Sequence, residues 1–202
     1  MARCAKSLLF FAAILLVLAG CAAPSPQPPP EVNWQQQLAA LTALEDWGFN
    51  GKVAVSTPSG SETARLRWAQ QGSRSELVLS GPVGWNRATL VSDGSRLRLQ
   101  RDGEWQEFGL DDHRALEEQL GWPLPLNYLP YWVRGMPAPG PSIEQLDVID
   151  GKLAELRQDG WHVEYRAYQQ AGGLLLPERI HVSRQGVSGK LILTTWQVGS
   201  RS

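Results

Sequence analysis

The sequence predicts a mainly β protein: one strongly curved antiparallel sheet of ten or eleven strands, with helices forming a lid over an apolar hollow. Three observations predict it. Apolar and polar residues alternate at a period of two through most of the chain beyond residue 52, the pattern of half-buried strands. The 20 glycines and 14 prolines supply the many turns that a meander of short strands requires. Nine tryptophans give the sheet a large aromatic surface to bury.

The chain opens with the parts of a secretory signal: positive charge at Arg3 and Lys6, an apolar run over residues 8–18, and small residues after it. That run is too short to span a bilayer, which takes about 20 helical residues. Cleavage is therefore expected. Leu18-Ala19-Gly20-Cys21 resembles the bacterial lipobox, in which the cysteine thiol is diacylated, the chain is cut before it and the new amine is acylated. Ordinary cleavage near Ala23, leaving a soluble protein, is the other reading. With Ala22 rather than an aspartate after the cysteine, the lipobox implies the periplasmic face of the outer membrane. Residues 1–20 are then the signal peptide, 21–32 the acylated cysteine with a proline-rich linker, and 33–202 a single domain. The linker carries Pro24, Pro26 and Pro28-Pro29-Pro30, so it is extended and semi-rigid, and holds the body off the lipid.

Composition excludes several classes. The chain has 19 basic and 20 acidic residues; without Arg3 and Lys6 the body is mildly acidic, which gives no ground for a nucleic-acid partner. Of two cysteines, Cys4 leaves with the leader and Cys21 is the lipidation site, so no disulfide is expected. Stability must come from the core.

Element by element, Asn33 is an N-cap with Gln36 three residues on, and Trp34, Leu38, Leu41 and Leu44 recur at helical spacing up to about Asp46. Period-two alternation then places Val53 and Val55 on one strand and Ala64, Leu66 and Trp68 on the next, joined through Pro58-Ser59-Gly60. Leu77 and Leu79, residues 87–92, and Leu97 and Leu99 continue it, and Asp102-Gly103 marks a hairpin into Trp105 and Phe108. Two helices interrupt the series. One follows an Asp111-Asp112 cap and carries Leu116 and Leu120; the other carries Leu126, Leu129 and Val133. Gly121-Trp122-Pro123-Leu124-Pro125 between them is too proline-rich to be helical and forms a stiff apolar elbow. Further strands are expected over 143–149, 153–158, 161–168, 179–183 and 186–196.

Catalytic signatures are absent. His113, His162 and His181 are scattered, fit no metal-ligand spacing and read as solvated. There is no Gly-x-Ser-x-Gly elbow, Walker loop or Gly-x-Gly-x-x-Gly, and Glu117-Glu118 reads as a solvated helix face. The expectation is a non-enzymatic protein with no cofactor and no metal.

Six segments share a pattern: Trp47-x-x-x-Gly51-Lys52-Val53-Ala54-Val55, Leu66-Arg67-Trp68, Gly81-Pro82-Val83-Gly84, Trp132-Val133-Arg134-Gly135-Met136-Pro137, Gly160-Trp161-x-Val163-x-Tyr165, and Leu176-Pro177. In this order, behind a lipobox, they resemble the outer-membrane lipoprotein receptor family LolB. The resemblance implies a half-open antiparallel β-barrel of eleven strands with helices at its mouth, acting as a monomer. It implies an activity too: accepting lipoproteins from the periplasmic carrier LolA, shielding their acyl chains, and placing them in the inner leaflet of the outer membrane. The partners are then the carrier, cargo lipoproteins and outer-membrane lipid, with no cofactor. A structural or adaptor lipoprotein, whose sheet packs only its own core, is the competing reading.

Three groups of site residues follow. Cys21 is the lipid anchor. Gly81, Pro82, Val83, Gly84 and Trp85 correspond to a family loop whose exposed apolar residue touches the membrane; Val83 stands at that place, with Trp85 after it. The alternative has both side chains folded back into the barrel. For the acyl-chain cavity the candidates are Leu66, Trp68, Trp122, Leu129, Trp132, Val133 and Tyr165, each of which also suits ordinary core. Arg65, Arg67 and Arg134 would either meet acidic cargo or carrier surface or be solvated.

Overall fold

A computed structural model describes residues 33–81, 87–109 and 112–199. The leader, Cys21, the linker and the Pro82-Val83-Gly84-Trp85 stretch lie outside the described residues.

Eleven strands form one antiparallel sheet: β1 Asp46–Thr57, β2 Gly60–Gln71, β3 Arg74–Ser80, β4 Ala88–Ser92, β5 Leu97–Arg101, β6 Glu104–Phe108, β7 Ile143–Ile149, β8 Lys152–Gln158, β9 Trp161–Ala171, β10 Leu174–Arg184 and β11 Val187–Val198. Their spatial order is β6-β5-β4-β3-β2-β1-β11-β10-β9-β8-β7. The first and last strands therefore pair at the centre, while β6 and β7, consecutive in the chain, are the two edges. The sheet is not closed. Helices α1 (Trp34–Thr42), α2 (His113–Leu120) and α3 (Leu129–Trp132) complete the fold, the last two within the segment that joins the edges. No helix among the described residues is long and apolar enough to cross a membrane.

Local chemistry accounts for the hairpins. Asp102-Gly103, Asp150-Gly151, Asp159-Gly160 and Gln185-Gly186 each hold both residues at positive φ, the type I′ geometry whose twist matches that of paired strands. The central seam depends on a missing side chain: a Cβ on Gly51 would lie 2.4 Å from the carbonyl oxygen of Ile192 on β11. β1 and β11 approach as they do because residue 51 is glycine.

Three expectations need correction. Helix α1 starts at the Asn33 cap, whose side chain accepts from Gln36 N at 3.2 Å, but it ends at Thr42 and Asp46 already opens β1. Trp47 and Phe49 pull the chain into the sheet, where they join Trp68 and Trp196 in one aromatic cluster. β10 begins at Leu174, five residues before the expected start, because Pro177 sits at a register shift and so removes no regular ladder bond. The second lid helix is a single turn, since Pro123, Pro125 and Pro130 deny the segment the backbone donors of a longer one.

The core lies on one face of the sheet. Leu153, Leu156, Val163, Leu176, Leu193 and Trp132 have no exposed surface at all. A smaller cluster of Leu41, Met136 and Leu176 holds α1 against β10, where Gln37 Nε2 also donates to Leu175 O at 2.6 Å.

Candidate functional site

The inward face of β1, β2, β3 and β11 presents Val53, Val55, Leu66, Trp68, Leu77, Leu79 and Leu191 to a cavity of about 60 Å³. Trp161 and Val182 complete its wall, and Trp122, Pro123, Leu124, Pro125 and Leu129 roof it. Among the described residues no charged side chain lines it. At this size it holds a few water molecules, against roughly 300–1,000 Å³ for a pocket that takes a small molecule. Side chains of the wall and of residues 122–125 thus take up most of the space between sheet and roof.

The roof is held lightly in its middle and firmly at one end. Within it, Leu126 N donates to Leu124 O at 2.8 Å and Tyr128 N to Pro125 O at 2.9 Å; the prolines contribute no N–H. Tyr128 Oη donates to Asp159 Oδ2 at 2.7 Å in the β8–β9 turn, a bond that raises the phenol's pKa. Helix α2 ends in a left-handed Gly121 and buries Leu116, while Glu117 and Glu118 are exposed. Asp112 stands at its N-cap position but does not cap it; Oδ2 accepts instead from Gly109 N at 2.9 Å.

Of the seven cavity candidates, the structure brings Leu66, Trp68, Trp122 and Leu129 to the cavity wall and roof. Trp132, Val133 and Tyr165 do not reach it. Val133 is plain buried core, while the other two anchor the segment: Trp132 Nε1 donates to Gln158 Oε1 at 3.0 Å, and Tyr165 Oη donates to Trp132 O at 3.0 Å. Val53, Val55, Leu77, Leu79 and Leu191 line the cavity without having been singled out, although their strand phase matches that of Leu66 and Trp68. Extending the phase across neighbouring strands is the signal that finds them.

The charged residues also resolve. Arg134 is neither solvated nor free for a partner. Its Nη1 donates to Leu41 O at 2.8 Å and Leu44 O at 3.0 Å, its Nε donates to Pro130 O at 2.8 Å, and burial lowers its pKa. It clips the end of α1 to the lid. Arg67 pairs with Glu76 at 2.9 Å on the opposite face of the sheet, where Arg65 borders a groove with Lys52 and Arg87. His162 and His181 are half-buried beside glutamates rather than solvated: His162 Nε2 lies 2.8 Å from Glu155 Oε1, and His181 Nδ1 lies 3.1 Å from Glu164 Oε2. Among the described residues no group of acidic, cysteine and histidine side chains is placed to hold a metal.

Comparison with known proteins follows the same line. The family described as "Outer membrane lipoprotein LolB" matches residues 45–196. The chain is 34% identical to the outer-membrane lipoprotein LolB of Stutzerimonas stutzeri, over 91% of this chain and 92% of that protein. It is 35% identical to that of Pseudomonas aeruginosa, over 94% and 95%. Among solved structures, a LolA superfamily protein from Nitrosomonas europaea superposes with a TM-score of 0.54 at 12% identity, covering 85% of this chain and 96% of that one. At that identity the likeness concerns the fold.

Proposed function

The chain belongs to the LolB family of outer-membrane lipoproteins, and from that premise we propose that it takes lipoproteins from the soluble carrier LolA, holds their acyl chains in the roofed cavity, and releases them into the inner leaflet of the outer membrane. The observation that carries this reading is a wall of aliphatic and aromatic side chains under a roof that is itself apolar and irregular. A core that served only for packing would not need a proline-stiffened strip of Trp122 and Leu124 over the concave face of its central strands.

The energetics call for such a device. Exposing one acyl chain of ~16 carbons to water costs on the order of 10 kcal/mol, at roughly 0.8 kcal/mol per methylene. Transfer without an energy source runs downhill only. The cavity must bind the chains more tightly than the carrier does and less tightly than the bilayer. A roof whose own Trp122 and Leu124 fill the empty cavity meets the second condition, since these side chains compete with the cargo for the same wall.

Gly81, Pro82, Val83, Gly84 and Trp85 are the segment proposed to touch the membrane, and Cys21 the anchor that keeps the body near it. The test is transfer of a labelled lipoprotein from purified carrier to this protein, and then to liposomes. Saturable acceptance followed by delivery supports the proposal; no acceptance from a loaded carrier overturns it and leaves the adaptor reading.

A further inference from the structure

The concave face changes character along one cross-strand row. On β2 the inward side chains are Leu66, Trp68 and Gln70; opposite them β3 carries Leu79, Leu77 and Ser75, and β4 carries Ala88, Leu90 and Ser92. Two rows are apolar. The third, Gln70 with Ser75 and Ser92, is polar on all three strands. That row lines a second pocket of about 150 Å³ under Leu116, Leu126 and Pro130 of the lid, and Trp68 and Leu77 belong to the walls of both pockets.

Among the described residues, two buried polar atoms on residues lining this second pocket have no hydrogen-bond partner: Trp68 Nε1, a donor, and Gln70 Oε1, an acceptor. Gln70 Nε2 already donates to Gly72 O at 2.6 Å, which fixes the amide with its oxygen unused. Buried polar groups are paired in most proteins, so an unmatched donor and acceptor two residues apart, at the end of an apolar trough, mark a place for a ligand group that carries both.

We propose that this pocket is a headgroup subsite for a secondary amide. Trp68 Nε1 donates to the amide carbonyl, Gln70 Oε1 accepts from the amide N–H, and the alkyl chain runs past Trp68 and Leu77 into the apolar cavity. The inference rests on the lipoprotein-accepting reading and deepens it. An ester offers a carbonyl but no N–H. Of the chains on an acylated N-terminal cysteine, the amide-linked one satisfies both atoms, so the subsite selects cargo acylated at its amine.

The test uses the full chain carrying Cys21→Ala, which has no acyl groups at residue 21, and three fluorescent probes: an N-palmitoyl peptide, the same peptide methylated at that amide nitrogen, and a labelled hexadecane. The N-palmitoyl peptide is expected to bind roughly fivefold more tightly than its N-methyl counterpart, the effect of one hydrogen bond. Gln70→Leu removes that preference. Trp68→Phe, whose smaller ring also alters the apolar wall, weakens both amides by a similar factor beyond any change it makes to the hexadecane probe. Equal affinity for the two amides in the otherwise unaltered chain, which needs no mutant at the site, overturns the proposal; so does a preference that survives Gln70→Leu. Failure of all three probes, hexadecane included, overturns instead the lipid-accepting reading on which the proposal stands.

Discussion

The indole N–H of Trp132 donates to Gln158 Oε1 at 3.0 Å, with neither residue exposed to solvent, and this bond ties lid helix α3 to strand β8. The same Gln158 accepts from Ala138 N at 3.0 Å and donates to Ala138 O at 2.7 Å. One amide thus satisfies both a side chain before the lid's end and the backbone after it.

Gln158→Leu strands three buried polar groups at once. At about 1–3 kcal/mol for each unsatisfied group, the variant is expected to lose roughly 3 kcal/mol or more, read as a shift of the urea midpoint at unchanged slope. A loss below about 1 kcal/mol would show that the pair does not hold the lid.

Arg134→Met removes the donor to three carbonyls and the cation stacked 5.5 Å over Trp47 and 5.4 Å over Tyr131. A loss of about 3 kcal/mol is expected. Arg134→Lys should recover only part of it, because an ammonium lacks the planar fork that reaches separate acceptors. Full recovery by lysine would sink the geometric explanation.

Gly51→Ala forces a methyl group onto the Ile192 carbonyl oxygen at the central seam. A loss of roughly 3 kcal/mol is expected from overpacking against backbone. Gly189→Ala on the same β11, whose added carbon would meet nothing nearer than 3.8 Å, serves as the control and should be close to neutral.

Alkaline pH tests the buried phenols. Tyr168 Oη donates to Leu153 O at 2.6 Å, and burial raises the pKa of Tyr165 and Tyr168 above the ordinary value of 10.0. The folded state keeps both neutral while the unfolded state ionises them, so their contribution is fully present below pH 10 and falls as pH rises beyond it. Melting temperature should therefore drop steeply above pH 10. Tyr168→Phe should flatten that drop; a parallel profile in the variant would refute the assignment.

Replacing Val83 and Trp85 together with glutamate should leave acceptance of cargo from the carrier unchanged and reduce insertion into liposomes at least about tenfold, since two charges then oppose burial at the lipid interface. Unimpaired insertion would remove the loop from the delivery step.

Much of this was legible beforehand. The period-two runs and the Asp-Gly turn at residue 102 led to the right strands because each depends on neighbouring residues alone. The helical period runs four residues past the end of α1 because Leu44 continues it, while the aromatic cluster that claims Trp47 is built from strands far away in sequence. Trp132 and Tyr165 are apolar enough for a cavity wall, and only their bonds to Gln158 and to one another show that they anchor the lid. Arg134 reads from sequence as a surface charge because nothing local announces that the carbonyls at the end of α1 converge on it.

Gly199 N donates to Asp46 O at 2.9 Å, so the first and last strands meet at the middle of the sheet, and the roof is the covalent bridge between its two edges. The rims can separate without breaking a single ladder pair. A protease nick within residues 121–128 would sever the bridge and leave all eleven strands paired, and a circular permutant joined across 46 and 199 and opened there would carry the roof as two free flaps. In either molecule the two edges of the sheet would no longer be joined by a single covalent span.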